Sequence, residues 1–410
     1  MLRSNRNLAL VVLARFISRI GGSAVWFIGV WGTAAYTLGA SPTQLALMSA
    51  ANGLAAIVGS LIAGVLIDRF GPRKVMIGAE ILCVPPLVAM LFVSSFPTFV
   101  ACAAVFTLFG VPTWTAGASF APYIVEGRKP LERANAFIEG GGALGFVLGP
   151  AVGAVVSAAY GIPSVFVIMI VAAALAATAA WFTRIDENPR PHISGNAWTD
   201  FTQGLRLAYT TPSIRYFIFL GSAVWFGFGA FSALEPLFYR DVVGVGVEWI
   251  GWMNTAFGIG LISGAAMLPR LPQKFVSARG LTALTVLTGL GTMLYVGSTD
   301  LRLIAVGALI WGSFIGAFEP LLRTLLHLDS PHEYVGRIVG TAQWHRSAGE
   351  LIPLAFVPGL AVLIGIQETL IAGGVLVAIA AVLGLRAASR IDRDRPPAEA
   401  EPLVVVAEAV

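Results

Sequence analysis

The stretch Gly64-Val-Leu-Ile-Asp68-Arg69-Phe-Gly71-Pro72-Arg73-Lys74 is a short cluster of charge between two long apolar runs. Its charged side chains are costly in hydrocarbon, and Gly71 followed by Pro72 is typical of a chain reversal, so the stretch predicts a tight turn at a membrane surface. Basic residues in short loops keep such loops on the cytoplasmic side. The stretch therefore predicts a cytoplasmic loop between two membrane-spanning helices.

The composition is that of a protein that crosses a membrane many times. Of the 410 residues, 57% are hydrophobic and 12% are charged, whereas a soluble domain carries about 25% charged residues. The net charge of +4 does not indicate nucleic-acid binding, because the basic residues punctuate apolar runs and form no groove-sized patch. Cys83 and Cys102 lie in apolar runs without metal-ligand spacing, which favours packing over a disulfide.

Twelve apolar runs of about 20 residues, the length that crosses a bilayer core, follow one another along the chain. They cover residues 12–36, 42–66, 75–94, 98–121, 138–159, 163–182, 215–238, 249–269, 278–297, 302–324, 338–363 and 367–388. Arg15 and Arg19 interrupt the first run, so it is interpreted as an uncleaved span and not as a signal peptide. The sequence predicts an all-α integral membrane protein.

The basic residues also orient the chain. Of the 26 Lys and Arg residues, three lie inside spans and two lie on one side of the membrane, while all the others lie on the opposite side. The exceptions are Arg15, Arg19, Arg346, Arg240 and Arg302. Because Lys and Arg accumulate in cytoplasmic loops, we expect a multi-pass protein of the inner (plasma) membrane with both termini in the cytoplasm.

A polar stretch divides the chain into halves of nearly equal length. The predicted parts are a bundle of residues 1–183, a linker of residues 184–213, a bundle of residues 214–390 and a tail of residues 391–410. Within the linker, Trp198, Phe201 and Leu205 recur at helical spacing, which favours a short helix on the inner membrane surface over an irregular linker. The charged, Pro-rich tail is predicted to be disordered.

The spacing G-x-x-x-D-R-x-G-x-R-K in the opening stretch resembles the loop signature between the second and third spans of the major facilitator superfamily. Its specified positions are Gly64, Asp68, Arg69, Gly71, Arg73 and Lys74. The resemblance implies twelve transmembrane helices in two pseudo-symmetric six-helix bundles, with the substrate site between them near the membrane midplane. It also implies that Asp68 braces a cytoplasmic closure between the halves.

The fifth span contains the element Gly145-Phe-Val-Leu-Gly149-Pro150-Ala-Val-Gly153, which resembles a motif of the antiporter branch of that family. Small residues four positions apart let helix backbones approach closely, and Pro150 bends the helix. The element is therefore interpreted as a sliding face against a span of the other half. An ordinary contact between small residues is the alternative.

Three further segments look like the exporter branch that includes macrolide efflux proteins and catecholate siderophore exporters. They are residues 13–21, residues 131–136 and residues 201–206 with the following Pro212. The resemblance extends over nearly the whole chain. It implies a secondary transporter that exports a small amphipathic organic molecule, drug-like or siderophore, by alternating access as a proton antiporter.

Ionisable side chains inside spans are costly unless they face protein or water, so they are candidates for energy coupling. These coupling candidates are Glu319, Glu235, Glu350, Arg346 and Arg19. Glu319 and Glu235 come first, because the resemblance places the seventh and tenth spans beside the cavity. Arg323, one turn after Glu319, could instead hold that carboxylate ionised. Arg346 and Glu350 lie one turn apart, which favours an internal ion pair.

Aromatic residues gather on the spans that the resemblance places around the cavity. They are Trp26, Trp114, Trp225, Phe228, Trp311, Phe314 and Phe318. Such rings suit bulky amphipathic or cationic substrates, through stacking and cation–π contact. Aromatic belts at the membrane interfaces are the alternative explanation.

The remaining polar residues do not favour catalysis. Glu80 and Glu139 lie near cytoplasmic span ends, where a structural role is favoured, and the four histidines are scattered. No nucleotide-binding loop, serine elbow or metal-spaced His pair occurs, so neither an enzyme nor a metal or cofactor site is predicted. The predicted partners are a small-molecule substrate, the proton and the lipid bilayer, without nucleic acid, for a monomeric protein. The alternatives are an importer of the same fold, a non-transporting receptor or scaffold, and a membrane-embedded enzyme.

Overall fold

The computed structural model describes residues 5–185, 197–331 and 334–394. Within these residues the regular structure is entirely helical. The α-helices are α1 (Arg6–Ala24), α2 (Pro42–Phe70), α3 (Pro72–Met90), α4 (Phe96–Ala118), α5 (Arg128–Tyr160), α6 (Pro163–Trp181), α7 (Ala197–Thr210), α8 (Pro212–Leu237), α9 (Glu248–Met267), α10 (Ala278–Val296), α11 (Leu301–Asp329), α12 (Val335–Leu351), α13 (Val357–Ile364) and α14 (Ile366–Asp394). Turns of π-helix extend α1 to Thr37 and α8 to Val243.

Nine helices in the described part of the chain are long and apolar enough to cross a membrane, or ten if the bent pair of α12 and α13 forms one span. The predicted spans outside this set are α3 and α10. Both are more polar than the others, because α3 carries Arg73, Lys74 and Glu80 and α10 carries Arg279 and several threonines. The helical membrane class is confirmed, and the count of twelve stays a prediction.

The charged stretch of residues 64–74 forms the end of α2 and the start of α3, with a turn at Gly71. Gly71 has a φ of +82°, a conformation that favours glycine, and its N–H donates to the Ile67 carbonyl at 2.8 Å. Pro72 is the first residue of α3, where its fixed φ suits a helix start. Asp68 and Arg69 are exposed at the end of α2.

The chain divides into two compact units. Among the described residues, the first unit contains residues 5–185 and Tyr239–Thr255, and the second contains the remainder. The predicted bundle boundary assigned residues 239–255 to the second half. Local contacts explain their membership of the first unit: the Tyr36 hydroxyl donates to the Val245 carbonyl at 3.1 Å, and the Arg240 guanidinium donates to the carbonyls of Ala35 and Ala40.

In the first unit, α1 packs against α5 and α6, α3 packs against α4 and α6, and α2 packs against α4. The interior of this unit contains an apolar cluster to which α1, α3, α5 and α6 all contribute. Helices in a membrane associate through such close packing, because lipid tails are as apolar as the side chains themselves.

In the second unit, α10 packs against α11 and α14, and α8 packs against α12 and α14. The Asp392 carboxylate, near the end of α14, accepts hydrogen bonds from the backbone N–H groups of Ala278 (2.7 Å) and Arg279 (3.0 Å), and so caps the start of α10. Residues 391–394, predicted to belong to a disordered tail, are therefore helical. The rest of that predicted tail, residues 395–410, lies outside the described residues.

The predicted linker contains α7, which packs against α12 and α8. The Tyr209 hydroxyl lies 2.6 Å from His345 Nε2 on α12 and fixes the end of α7 to the second unit. The position of α7 along a membrane surface stays a prediction.

Candidate functional site

A polar cluster lies inside the second unit, where α8, α11 and α12 contact one another. The Trp225 indole N–H donates to Glu319 Oε1 at 2.8 Å, and a guanidinium nitrogen of Arg346 lies 3.6 Å from Glu319 Oε2. The guanidinium carbon of Arg346 also lies 3.5 Å from the centroid of the Trp225 ring. Two residues from two other helices therefore hold one carboxylate of α11.

The surroundings of Glu319 give water access to its carboxylate. The side chains of Glu319 and Arg346 are 32% and 35% exposed, respectively. A cavity of about 70 Å³ adjoins them and is also lined by Arg323 and Gln343. Pro320, inside α11, lacks an N–H and so leaves the Gly316 carbonyl without its helical donor. A carboxylate in such a place can exchange a proton with cavity water.

The ion pair of Arg346 differs from the predicted one. The sequence favours a pair with Glu350, one turn along α12, but Arg346 pairs with Glu319 on α11. The stacking of the guanidinium on Trp225 explains the difference, because it directs the charged group across to α8 and α11. Among the described residues, Arg323 forms no ion pair with Glu319 either, although it lines the same cavity.

Glu235, the second carboxylate considered for coupling, also has an aromatic partner. It accepts a hydrogen bond from the Tyr295 hydroxyl at 2.6 Å. The Tyr295 ring in turn stacks on Trp311, with 5.3 Å between centroids. Glu235 is partly buried on α8, about three turns beyond Trp225.

Three of the predicted cavity aromatics of the second unit, Trp225, Phe228 and Trp311, form a stacked cluster. Phe228 stacks on both Trp225 and Trp311, with centroids 4.9 and 4.8 Å apart. Trp311 is 4% exposed, and Phe318 is completely buried. The prediction that Phe318 lines a cavity is therefore not met in this structure, because its face of α11 points into the packed interior. Trp225, Phe228 and Phe314 stay partly accessible.

The first unit contains a second polar cluster, formed by α1, α4 and α5. Nη2 of Arg15 donates to both carboxylate oxygens of Glu139, at 2.9 and 2.8 Å, and Nη1 donates to the Trp114 carbonyl at 2.8 Å. One turn later on α1, Arg19 lies over the rings of Trp114 (4.7 Å) and Phe146 (5.3 Å). Both arginines stand out in the sequence, but the pairing of Arg15 with Glu139 could not be inferred from it. The only local signal was the pair of arginines four residues apart.

The predicted sliding face of α5 packs within its own unit. A Cβ atom on Gly145 would come within 2.6 Å of the Phe16 carbonyl oxygen, and one on Gly149 would come equally close to the Ile20 carbonyl oxygen. A Cβ atom on Gly153 would lie 3.0 Å from the Ile28 side chain and 3.3 Å from Ala24. The glycines recur every four residues and face positions of α1 that also recur every four residues, so the motif brings α1 and α5 together. The interpretation as a contact with the other half is not met for these three glycines.

One residue of the same element has a different neighbour. The Pro150 carbonyl oxygen lies against Gly251, so closely that a Cβ atom on Gly251 would overlap it. Gly251 belongs to the segment 239–255 of the same unit. Trp26, the remaining predicted cavity aromatic of the first unit, is partly buried and contacts Trp31 edge to face at 5.8 Å.

The residues of the predicted gating loop differ in their contacts and in their exposure. Arg73 donates to the Trp181 carbonyl at 2.9 Å and so ties the start of α3 to the end of α6. A Cβ atom on Gly64 would meet no other heavy atom within 4 Å, so packing does not require a glycine there in this conformation. Lys74 and Arg69 are exposed. The gating roles of these residues stay predictions.

Glu80 was interpreted from the sequence as a structural residue near a cytoplasmic span end. It is completely buried on α3, and within the described part of the chain neither of its carboxylate oxygens has a hydrogen-bond partner. The Ser18 hydroxyl on α1 interacts with this carboxyl, but without the geometry of a regular hydrogen bond. A buried carboxyl without a partner is strongly disfavoured in its charged form. Glu80 therefore joins the residues to be considered for proton binding.

No group of three or more His, Cys, Asp or Glu side chains that could hold a metal ion occurs in the described residues. The two cysteines, Cys83 and Cys102, are both free thiols.

Comparison with known proteins places this architecture in a family. The family model described as the Major Facilitator Superfamily matches residues 11–352. Three curated relatives match with low identity over most of both chains. An uncharacterised MFS-type transporter, YfiS of Bacillus subtilis, is 23% identical over 94% of each chain. The multidrug efflux pump Tap of Mycobacterium tuberculosis is 23% identical over 98% of this chain and 100% of its own.

A third relative, the enterobactin exporter EntS of Shigella flexneri, is 26% identical over 88% of this chain and 86% of its own. Among solved structures, an inward-facing bacterial homologue of the human lysosomal transporter Spinster superposes with a TM-score of 0.71. It is 16% identical, and the match covers 96% of this chain and 98% of that one. At this identity the likeness concerns the fold.

Proposed function

Because the chain belongs to the Major Facilitator Superfamily, we propose that it is a secondary transporter that exports a small amphipathic organic molecule in exchange for protons, by alternating access. It is a multi-pass membrane transporter and not an enzyme. Export, proton coupling and the class of substrate are the proposed parts. So are its location in the inner membrane, its monomeric state and the cytoplasmic position of both termini.

The observation that carries the proton-coupling proposal is the setting of Glu319. Its contact with Arg346 is single and long, at 3.6 Å, and about a third of each side chain is exposed. A single long contact holds a carboxylate less firmly than short paired hydrogen bonds do, so a proton can compete with Arg346 for Glu319. The pair between Arg15 and Glu139 is the opposite case, with two short hydrogen bonds and an Arg15 side chain only 9% exposed. We therefore assign coupling to Glu319 and a structural role to Glu139.

The cluster suggests how proton binding changes the site. When Glu319 is ionised, it accepts from the Trp225 indole and attracts Arg346, which stays over the same indole ring. When Glu319 is protonated, the attraction of Arg346 is lost and its charge has only the ring as a partner. Protonation therefore loosens a link among α8, α11 and α12. A carboxylate that alternately binds and releases a proton in this way meets the requirement of an antiporter.

The direction of transport and the substrate class are supported by similarity alone. The relatives named as the multidrug efflux pump Tap and the enterobactin exporter EntS are both exporters, and each is aligned over most of its length. The names of these relatives describe their own substrates. For this chain they favour export of a drug-like compound or a siderophore over import by the same fold.

The proposal is tested in inverted membrane vesicles with a panel of fluorescent amphipathic dyes and catecholate siderophores. We expect accumulation of at least one compound on energisation and its loss when a protonophore is added. Accumulation that survives the protonophore would replace the proton by another ion. Accumulation only in right-side-out vesicles would establish an importer, and no movement of any compound would favour a receptor or scaffold.

We predict that Asp68→Asn lowers the transport rate strongly, by about tenfold or more, without changing membrane insertion. The reason is that the family resemblance gives the charge of Asp68, which is exposed at the end of α2, a role in closure. Transport in vesicles and protein amount on blots are the two measurements.

The matched control is Glu132→Gln, which removes another exposed carboxylate of the first unit. Among the described residues, Glu132 pairs with Arg128, one turn away, and such exposed pairs contribute little. Equal transport by wild type and Asp68→Asn would exclude the closure role of Asp68. A loss of the same size in Glu132→Gln would mean that the general surface charge is responsible.

A further inference from the structure

The polar cluster of α1, α4 and α5 contains two guanidinium groups and only one carboxylate. Both oxygens of Glu139 accept from Arg15. Among the described residues, no acidic side chain pairs with Arg19, and its Nε is buried without a hydrogen-bond partner. Aromatic rings are its neighbours on two sides, Trp114 and Phe146. The cluster therefore carries one uncompensated positive charge, at Arg19.

The depth of Arg19 makes that charge expensive unless something compensates it. Arg19 lies thirteen residues into the helix that begins at Arg6 and extends to Thr37, which is about 20 Å along the axis at 1.5 Å per residue. A charged side chain at such a depth must face protein or water and not lipid. Arg19 is only partly buried, and its neighbour Trp114 is 37% exposed. By the same argument, the part of Arg19 that stays accessible faces water or a polar ligand and not lipid.

The rings beside Arg19 bear on the charge of that ligand. The sequence suggested that aromatic residues such as Trp114 would attract a cationic substrate by cation–π contact. Arg19 already lies 4.7 Å from the centroid of Trp114 and 5.3 Å from that of Phe146. A cationic ligand approaching either ring would meet one of the chain's own arginines. An anionic ligand would be attracted there instead.

We propose that Arg19 is an anion-recognition residue and that the ligands of this site are amphipathic organic anions, with a carboxylate or a similarly charged oxygen group beside an aromatic or apolar body. The guanidinium donates to the anionic oxygens through Nη1 and Nη2. The two rings hold the guanidinium in place, so little side-chain entropy is lost on binding. Trp26, two turns further along the same helix, offers an apolar surface to the body of the ligand.

This inference rests on the proposed function, because it names the substrate class of the transporter. It can be tested separately from that function, because binding of an anion can be measured without transport. Export of neutral or cationic compounds only, with intact proton coupling, would leave the proposed transporter in place and remove Arg19 as its recognition residue.

The test measures binding of a matched set of probes to the purified full-length protein in nanodiscs made of neutral lipid. The probes are 1-naphthoate, the isosteric neutral 1-naphthamide and the cationic 1-naphthylmethylamine, titrated by calorimetry at neutral pH. One charge-assisted hydrogen-bonded contact predicts that wild type binds the acid about tenfold or more tightly than the amide. The amine should bind more weakly than either.

The variants assign the preference to a residue. Arg19→Gln should bind acid and amide equally, while Arg19→Lys, which keeps the charge but not the planar fork, should retain part of the preference. Arg128→Gln removes an exposed arginine of the same unit and should behave as wild type. Wild type that binds 1-naphthoate no more tightly than 1-naphthamide would overturn the proposal even if every variant failed to fold. A full preference in folded Arg19→Gln would overturn it as well.

Discussion

Glu319→Gln abolishes gradient-driven export and leaves downhill exchange of substrate in place. The glutamine amide can still accept the hydrogen bond that the Trp225 indole gives to Glu319, so the site keeps its shape. It cannot bind or release a proton, so substrate movement is no longer tied to the proton gradient. We expect accumulation against a gradient to fall by a factor of about 100 or more, to the background of the assay, because one proton gradient is the only energy source in the proposal.

The measurement compares uphill accumulation with counterflow exchange in proteoliposomes that carry an imposed pH gradient. Glu319→Asp is the matched control, because it keeps a titratable carboxylate one methylene shorter, and it should retain part of the uphill activity. Loss of both uphill transport and exchange would mean that Glu319 serves binding or folding instead of coupling.

If Glu319→Gln still accumulated substrate against a gradient, the coupling role would belong to another carboxylate. Loss of accumulation in Glu235→Gln would then assign the proton to α8 and its link with Tyr295. Loss in Glu80→Gln would assign it to the buried, unpartnered carboxyl of α3. Loss in Glu350→Gln would assign it to α12. Full activity in all four variants would indicate another ion.

The second large effect is expected from Gly149→Leu, which should prevent the first unit from folding. A Cβ atom alone would overlap the Ser23 hydroxyl and lie 2.6 Å from the Ile20 carbonyl oxygen, and the backbone of α1 cannot retreat without losing its contacts along the whole of α5. We expect a loss of at least about 3 kcal/mol, the upper end of the usual cost of overpacking. Thermal unfolding followed by size-exclusion chromatography should show little or no monodisperse protein.

Gly78→Leu is the matched control on α3. A Cβ atom at Gly78 meets no other heavy atom within 4 Å, so the substitution should leave the amount of folded protein close to wild type. Equal losses at both positions would show that leucine is harmful in any of these helices. Normal folding of Gly149→Leu with slowed exchange would restore the interpretation of the α5 motif as a sliding face.

The sequence was sufficient for those features that depend on local composition. Long apolar runs predict helices because a membrane leaves a backbone no other way to satisfy its hydrogen bonds, and the Gly71-Pro72 pair predicts its own turn. The exposure of Asp68 at the end of α2 follows in the same way. The predicted spans 75–94 and 278–297 are also helical, as α3 and α10, although charge on α3 and threonine on α10 make them less apolar than the other spans.

Partners that come from distant parts of the chain could not be predicted. The sequence indicated Glu350 as the partner of Arg346, and the stacking on Trp225 directs Arg346 to Glu319 instead. Gly149 was expected to face another bundle, because a spacing of small residues predicts a close contact without saying with which helix. The burial of Phe318 could not be predicted either, since it depends on how α11 is rotated in its unit.

The cap that Asp392 supplies to α10 has a practical consequence for shortening or tagging the protein. A chain cut at residue 390, where the apolar pattern ends, would leave the first N–H groups of α10 without their acceptor, at a cost of about 1 kcal/mol. A purification tag joined directly after residue 390 would have the same effect. The safe junction lies beyond Asp394, where α14 ends.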